Sequence, residues 1–326
     1  MQPAYRIVAD GTDVTHKLHG RLVSLTVVDE AGRSSDRAEI TLDDRDHALA
    51  LPPAGASLKI ALGFTGKLVE IGTYIVEGIG GRIAPDTLTV TAKAAALLGT
   101  IRARKTREWK DVTVRDIVAK IAAEHGLRPL VGDSLAPCFY PYRAQTSESD
   151  LHFLTRIAHD LDAVAKPASG ALIFTRHGEG KAADGTPLPT FTIHRNQIGS
   201  GSWNIAERGR YRSVTAEWGD RDTATAHRLT AGQGEPELLL RHPYATRAEA
   251  RCAAEAALDR SQRTSAKLSI QLGGFHADLM AEAKVDLQAI KPELNGQWLL
   301  TRVIHRLDQS LTTGFEAERD NETAQR

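Results

Sequence analysis

The sequence predicts a mainly β protein with an α+β insert: an antiparallel β-barrel at each end of the chain and a small α/β domain between them. Three observations lead there. Residues 1–100 hold six short apolar or alternating runs separated by turn signals. Residues 113–175 hold two capped helices and a hairpin. A Gly–polar–aromatic–apolar pattern occurs twice, at Gly72 and at Gly296, near opposite ends of the chain. The expected units are therefore 1–100, 101–202 and 203–326.

The six N-terminal runs are Tyr5–Ala9, Leu22–Val28, Ala38–Leu42, Leu58–Leu62, Tyr74–Ile79 and Leu88–Thr91. Their β-branched or alternating apolar residues suit a half-buried sheet. Asp10-Gly11, Asp29-Glu30-Ala31-Gly32, Asp43-Asp44, Pro52-Pro53 and Pro85-Asp86 mark the turns. The acidic run Asp43-Asp44-Arg45-Asp46 reads as a solvated turn at a strand end, not as a metal or acid site.

The next stretch is basic. Arg102, Arg104, Lys105, Arg107 and Lys110 surround Trp109. Nucleic-acid stacking needs more than one aromatic, and Glu108 and Asp111 interrupt the charge. A charged connector with its Trp tucked into the following domain is the expectation. Thr113 then caps a helix and Asp116 completes a capping box. Val114, Ile117, Val118 and Ile121 form the apolar face, and Gly126 after His125 stops it. Residues 127–146, with Pro129, Pro137 and Pro141, read as irregular.

A second helix is expected to start at Ser147 as cap, with Asp150 as the returning carboxylate and Glu148 beside it. Leu151, Leu154, Ile157, Ala158 and Leu161 recur at helical spacing, with Phe153 on the shoulder. A Lys-bearing strand, a turn at Ser169-Gly170 and an apolar strand Ala171–Phe174 follow. Residues 176–202 read as a loop-rich joint. Gly180-Lys181-Ala182 fails as a phosphate loop, because residue 175 is Thr where Gly is needed and Ala182 replaces the magnesium-binding hydroxyl.

Beyond the joint, Tyr211–Trp218 reads as a strand. Thr246 and Glu249 open an Ala-rich helix over about 247–260, and Leu268–Leu272, Ala283–Leu287, Trp298–His305 and Thr312–Ala317 read as strands. The tail 319–326 is polar and is expected to fray. The two patterned stretches are Gly72-Thr73-Tyr74-Ile75-Val76 and Gly296-Gln297-Trp298-Leu299-Leu300. A strand precedes each, Ala56–Ile60 and Ala283–Leu287, which suggests two β domains of one fold.

Lys+Arg 41 balances Asp+Glu 41, so no net field draws the chain to nucleic acid or to an anionic membrane. There is no apolar run of spanning length and no signal-peptide pattern. The two cysteines, Cys138 and Cys252, are far apart in the sequence and read as buried thiols of a reducing compartment, not as a disulfide framework, and no paired His accompanies them as a zinc site needs. Among candidate enzyme groups, Glu148 and Asp150 are the best-placed carboxylate pair, and both are expected to serve helix capping. Gly199-Ser200-Gly201 is one residue short of a nucleophile elbow. His152 and His159 stand seven residues apart on one helix, next to Asp160, and read as a solvent-facing polar stripe. No catalytic, cofactor-binding or metal residue is therefore assigned, and no cofactor.

The run from Gln145 to Ala158, Q-x-S-E-S-D-L-x-F-L-x-R-I-A, resembles the late control D family of phage tail proteins. So do L-x-S-L-T-V-x-D from Leu22, E-I-T-L-D-D-R-D from Glu39, T-V-x-D-I-V-x-K-I-A-x-E-H-G-L from Thr113 and G-x-W-L-L-x-x-V-x-H-x-L-D from Gly296. Their order and spacing carry the likeness over nearly the whole chain. It departs at Phe275–Ala281, where the family turns with Pro and Gly.

The resemblance implies a structural baseplate hub of a contractile tail or injection machine, related to the hub part of type VI secretion spike proteins, with two tail-tube-like barrels. It implies a homotrimer that adapts a hexameric tail tube to a trimeric spike. The partners it implies are the tail tube protein, the central spike protein, other baseplate proteins and the tape measure, with no membrane and no specific nucleic acid. The location implied is the baseplate of a virion or tail-like particle assembled in the bacterial cytoplasm. The alternative is a tail-associated cell-wall hydrolase.

Overall fold

The alternating runs of the N-terminal third fold as strands. In the computed structural model, which describes residues 2–32, 35–94, 100–168, 170–179, 186–220 and 225–320, they are β1 (Pro3–Ala9), β2 (Thr12–Asp13), β3 (Leu22–Glu30), β4 (Arg37–Asp43), β5 (Ser57–Phe64), β6 (Lys67–Arg82) and β7 (Thr87–Ala94). One helical turn, α1 (Thr15–Leu18), lies between β2 and β3. β4 shows the rule: Ala38, Ile40 and Leu42 are buried and alternate with residues that face out. Asp10 and Gly11 both take positive φ, 46° and 82°, which the tight turn between β1 and β2 requires.

The insert follows as β8 (Arg104–Thr113), α2 (Val114–Glu124), β9 (Arg128–Val131), β10 (Phe139–Ser149), α3 (Asp150–Asp160), β11 (Ala163–Ala168) and β12 (Ala171–Arg176). β8 and β10 pair antiparallel, and β9 joins β12 parallel. Thr113 and Asp116 form the expected capping box, and Gly126 closes α2 at φ 65°. Three expectations change here. The basic run is strand β8, not a connector, because β10 supplies its ladder partner. Trp109 is indeed tucked in, stacked on Phe153 at 5.6 Å. Residues 127–146 are not irregular: they supply β9 and most of β10. And Ser149, not Ser147, caps α3, accepting from the His152 N–H. Ser147 sits at φ 49° and donates its own N–H to Thr106 Oγ1. Phe153 is fully buried, more central than its shoulder position suggests, while Leu151 is half-buried.

The expected joint contains two strands, β13 (Thr190–His194) and β14 (Ile198–Ile205). Then come β15 (Ser213–Asp220), β16 (Thr225–Gly232), β17 (Glu237–Leu239), α4 (Arg247–Arg263), β18 (Ala266–Leu272), β19 (Lys284–Gln288), β20 (Gly296–Leu307) and β21 (Leu311–Arg319). β15, β16 and β17 form a separate small sheet under α4. The short side chains of Ala250 and Ala254 let α4 lie close on Val214 and Ala216. Thr246 caps α4, and the Glu249 carboxylate reaches back to the Ala245 N–H. The Gly180-Lys181-Ala182 stretch, Ser169 of the expected turn and residues 321–326 of the tail lie outside the described residues. Among the described residues no helix is long and apolar enough to cross a membrane.

Thirteen strands share one sheet in the order β14-β18-β21-β20-β3-β4-β7-β6-β5-β1-β2, with β19 beside β20 and β13 beside β19. Two closed barrels are not what the sheet makes: among the described residues its path stays open, and both halves of the chain lie in it. β20 is the reason. One edge pairs with β21 along its length, with a bulge between Leu300 and Arg302. On the other edge, Gly296–Leu299 pairs with β19 while Arg302–Leu307 pairs with β3. Each half nevertheless repeats one strand order. β3-β4-β7-β6-β5-β1 matches β14-β18-β21-β20-β19-β13 place for place, and the Gly72 and Gly296 strands, β6 and β20, hold the same fourth place. The outermost pair differs: β1 runs antiparallel to β5, β13 parallel to β19. Separate cores underlie the two halves, although Leu307 and Leu311 of the C-terminal half pack into the N-terminal one.

Candidate functional site

β11 is an almost wholly buried strand with a lysine in it. Lys166 Nζ lies 2.7 Å from Asp36 Oδ1 and 2.9 Å from Asp29 Oδ1, and donates to the Glu30 carbonyl at 3.0 Å. The second oxygen of Asp29 accepts the Ala281 N–H at 2.8 Å. One ammonium thus fastens the insert to the end of β3, to the start of β4 and, through Asp29, to the loop before β19. Burial pushes the Asp36 carboxyl up, the Asp29 charge adds to this, and Lys166 opposes, leaving it raised to about 6. Burial works against the charge on Lys166, but the two carboxylates win and hold its pKa above the ordinary value.

The same junction draws in three more residues, Glu282, Glu30 and Gly32. Glu282, at φ 70°, accepts the Gly178 N–H at 3.2 Å and meets His177 Nδ1 at 2.8 Å. The departure segment Phe275–Ala281 thus leads directly into it. Glu30 is buried and takes Arg37 at 2.8 Å and Arg302 at 3.0 Å, across the β3–β20 seam. Gly32, at φ 95°, lies against Val164 of β11, where an added Cβ would come within 2.4 Å of a Val164 methyl. Between these elements lies a cleft of about 450 Å³ bordered by Tyr74, Ile173, Met280 and His305. His305 is buried, meets Thr313 Oγ1 at 3.0 Å through Nδ1, and burial lowers its pKa to about 4.

A second charged cluster sits where β8, α2 and α3 meet. Asp150 is fully buried and receives Lys105 at 2.6 Å, Arg107 at 2.5 Å, His125 at 2.8 Å and Gln145 at 2.8 Å. Burial alone would raise this carboxyl; the hydrogen bonds from Gln145, Lys105 and His125 and the Arg107 charge lower it. Glu148 pairs with Arg156 at 2.5 Å. Neither acid therefore closes the capping box expected of this helix. Asp150 is the centre of a buried ion network that the local sequence does not reveal, since Lys105 and Arg107 lie 45 and 43 residues away.

Glu124, His125 and Asp150 converge closely enough to ligate a cation. Lys105 and Arg107 already neutralise those carboxylates, so the donor set does not favour a metal ion. His152 and His159 are exposed and lie about 10 Å apart along the helix. The acidic turn after β4 is a turn: Asp46 pairs with Arg21.

The carboxylates Asp29, Asp36 and Glu282 border the cleft, and each is engaged by a cation, a histidine or a backbone N–H of another element, as Asp150 is at α3. Such an arrangement joins parts of a chain. The chain belongs to the phage tail baseplate hub (GPD) family, whose profile matches residues 39–311. Its role is that of a structural baseplate hub of a phage tail.

The probable baseplate hub protein of Escherichia phage 186 is 33% identical over 98% of this chain and 93% of its own length. The 43 kDa tail protein of prophage MuSo2 from Shewanella oneidensis shares the fold at a TM-score of 0.71 and 14% identity, over 98% of both chains. The E. coli c3393 protein, a type VI secretion component similar in structure to T4 tail proteins gp27 and gp5, matches at a TM-score of 0.53 and 15% identity, over 98% of this chain and 78% of that one. The last two likenesses are of fold.

Proposed function

We propose that the protein works as a homotrimer that adapts a sixfold tail tube to a threefold spike. The observation that carries this is the repeated strand order, β3-β4-β7-β6-β5-β1 and β14-β18-β21-β20-β19-β13. Two modules of one topology per chain let three chains offer six similar surfaces, so the symmetries match without a further adaptor. These modules are the tail-tube-like units; the chain divides near 1–100, 101–202 and 203–326, with β13 and β14 lending strands back to the sheet. The tube protein meets the sixfold face, the central spike protein the other, and the insert, held outside the ring by Lys166, meets further baseplate proteins. Assembly takes place in the bacterial cytoplasm. The engagement of Glu148 and Asp150 in ion pairs supports a role without turnover. Cryo-electron microscopy of the assembled particle tests the proposal: three hub copies around the axis, each giving two tube-like modules, is expected, and six copies would overturn it.

A further inference from the structure

Cys138 and Cys252 are the chain's only cysteines, and the fold brings their sulfurs to 3.2 Å across 114 residues. Both are free thiols. Cys138 is buried in the insert core, just before β10. Its backbone is fixed on both sides: its N–H donates to Leu135 O at 3.0 Å and its carbonyl accepts the Val114 N–H at 2.9 Å. Cys252 lies early in α4, half-buried, and packs against the same core. A disulfide has a sulfur–sulfur length of about 2.05 Å, so closure asks for a shift of roughly 1 Å between side chains already aimed at each other.

We propose that this pair is a modification site, at which hydrogen peroxide converts the two thiols into an intrachain disulfide that fastens α4 to the insert. Cys252 is the attacking sulfur. It is the half-buried member of the pair, whereas Cys138 is buried. The two sulfurs share a hydrogen bond at 3.2 Å, and this contact holds the Cys252 thiol below its ordinary value and the Cys138 thiol above it. The Cys252 thiolate attacks one peroxide oxygen, and the O–O bond breaks. Hydroxide leaves, takes a proton and becomes water, and Cys252 becomes a sulfenic acid. The Cys138 thiol then attacks the Cys252 sulfur; the S–S bond forms, the S–O bond breaks, and a second water leaves with the Cys138 proton. Two thiols lose two electrons in all, and the peroxide gains them. The space beside the pair, bordered by Phe139, Tyr244 and Ala248, is about 10 Å³, room for no more than one water, so the oxidant reaches the half-buried Cys252 from its solvent side.

The bond has a mechanical meaning. α4 and the small sheet under it are tied to the insert through charged contacts, Arg263 to Asp162 at 2.5 Å and Arg176 to Asp259 at 3.2 Å. Arg176–Asp259 is partly exposed and open to screening by salt, whereas a covalent link between the same two bodies is not.

The test uses the full chain, purified reduced, treated folded with hydrogen peroxide, then alkylated, digested and mapped by mass spectrometry. A linked Cys138–Cys252 peptide pair is expected, with free thiols falling from two to none and the melting temperature rising by several degrees, all reversed by dithiothreitol. Cys138→Ser should strand Cys252 as a sulfenic acid that dimedone traps, and Cys252→Ser should leave Cys138 a thiol. Two titratable thiols after treatment, a link only between chains, or Cys252 over-oxidised with no linked peptide would each overturn the proposal. The wild-type peptide map decides it even if a serine variant fails to fold.

Discussion

Lys166 and Asp36 stand 130 residues apart in the chain and 2.7 Å apart in the fold, with Asp29 on the same ammonium. All three side chains are at most 29% exposed, so loss of the cation would leave two carboxylates poorly solvated. Lys166→Met should therefore lower stability by about 3–5 kcal/mol. Asp29→Asn with Asp36→Asn in the Lys166→Met background should recover much of that, because the penalty lies in the stranded charges. Urea unfolding of the variants checks both statements; a Lys166→Met protein as stable as wild type would show the junction to be incidental.

Two groups at this cleft titrate with opposite effect. Burial lowers His305 from 6.5 to about 4, so the unfolded chain binds the proton more tightly. Its contribution is present above pH 6.5 and is lost as pH falls toward 4. Asp36 is raised from 3.8 to about 6, so there the folded chain binds the proton more tightly, and stability falls as pH rises through 6. In the shared window the slopes oppose each other. Asp36→Asn should expose a loss of stability on acidification, and His305→Gln a gain, each up to about 2–3 kcal/mol. Unfolding curves across that window, with the same slope in both variants, would contradict the assignment.

At the start of α3 the expected ranking is Asp150→Ala well above Ser149→Ala, with Glu148→Ala least. Asp150 is fully buried under Lys105, Arg107 and His125, so its loss should cost about 3 kcal/mol, the low end for a broken buried pair because Lys105 reaches water. Ser149 is a single cap worth about 1 kcal/mol. Glu148 pairs with the partly exposed Arg156, worth about 0.5 kcal/mol. Melting curves give the ranking. Peptidoglycan hydrolysis by the wild type, abolished in either acid variant at unchanged melting temperature, would instead argue for the hydrolase.

What the sequence made legible is local. The alternation in β4, the Thr113–Asp116 box and the paired Gly72 and Gly296 patterns each depend on residues within a turn or a strand of one another. What it hid is long-range. Lys166 is a lysine in an apolar run, a visible oddity, but its partners at 29 and 36 cannot be read from it. The capping assignment at Ser147 failed for a related reason: Asp150 had a stronger use, on cations supplied by β8, and a bulge in β10 between Gln145 and Glu148 moved the helix start to Ser149. The open sheet depends on β20 dividing one edge between β19 and β3, which only the pairing register shows.

β14 ends the sheet, and among the described residues β18 is its ladder partner. Its sequence, Ile-Gly-Ser-Gly-Ser-Trp-Asn-Ile, has no charge and no proline, the devices that usually guard an edge. Trp203 is 51% exposed on it, although Lys291 reaches over the ring at 5.8 Å. An unguarded edge with an exposed aromatic suits strand pairing with a second copy of the chain, in keeping with the proposed ring. Gly201 is a poor place to test this, since an added Cβ would press within 2.9 Å of the Ser269 carbonyl and disturb the sheet itself. Ser202 and Trp203 are better, because both are exposed. Ser202→Lys with Trp203→Glu should leave the monomer's stability within about 1 kcal/mol. It should also place charge at the edge and reduce the yield of assembled tails at least tenfold by electron microscopy. Normal tails built with this double variant would mean that copies of the hub meet through another surface.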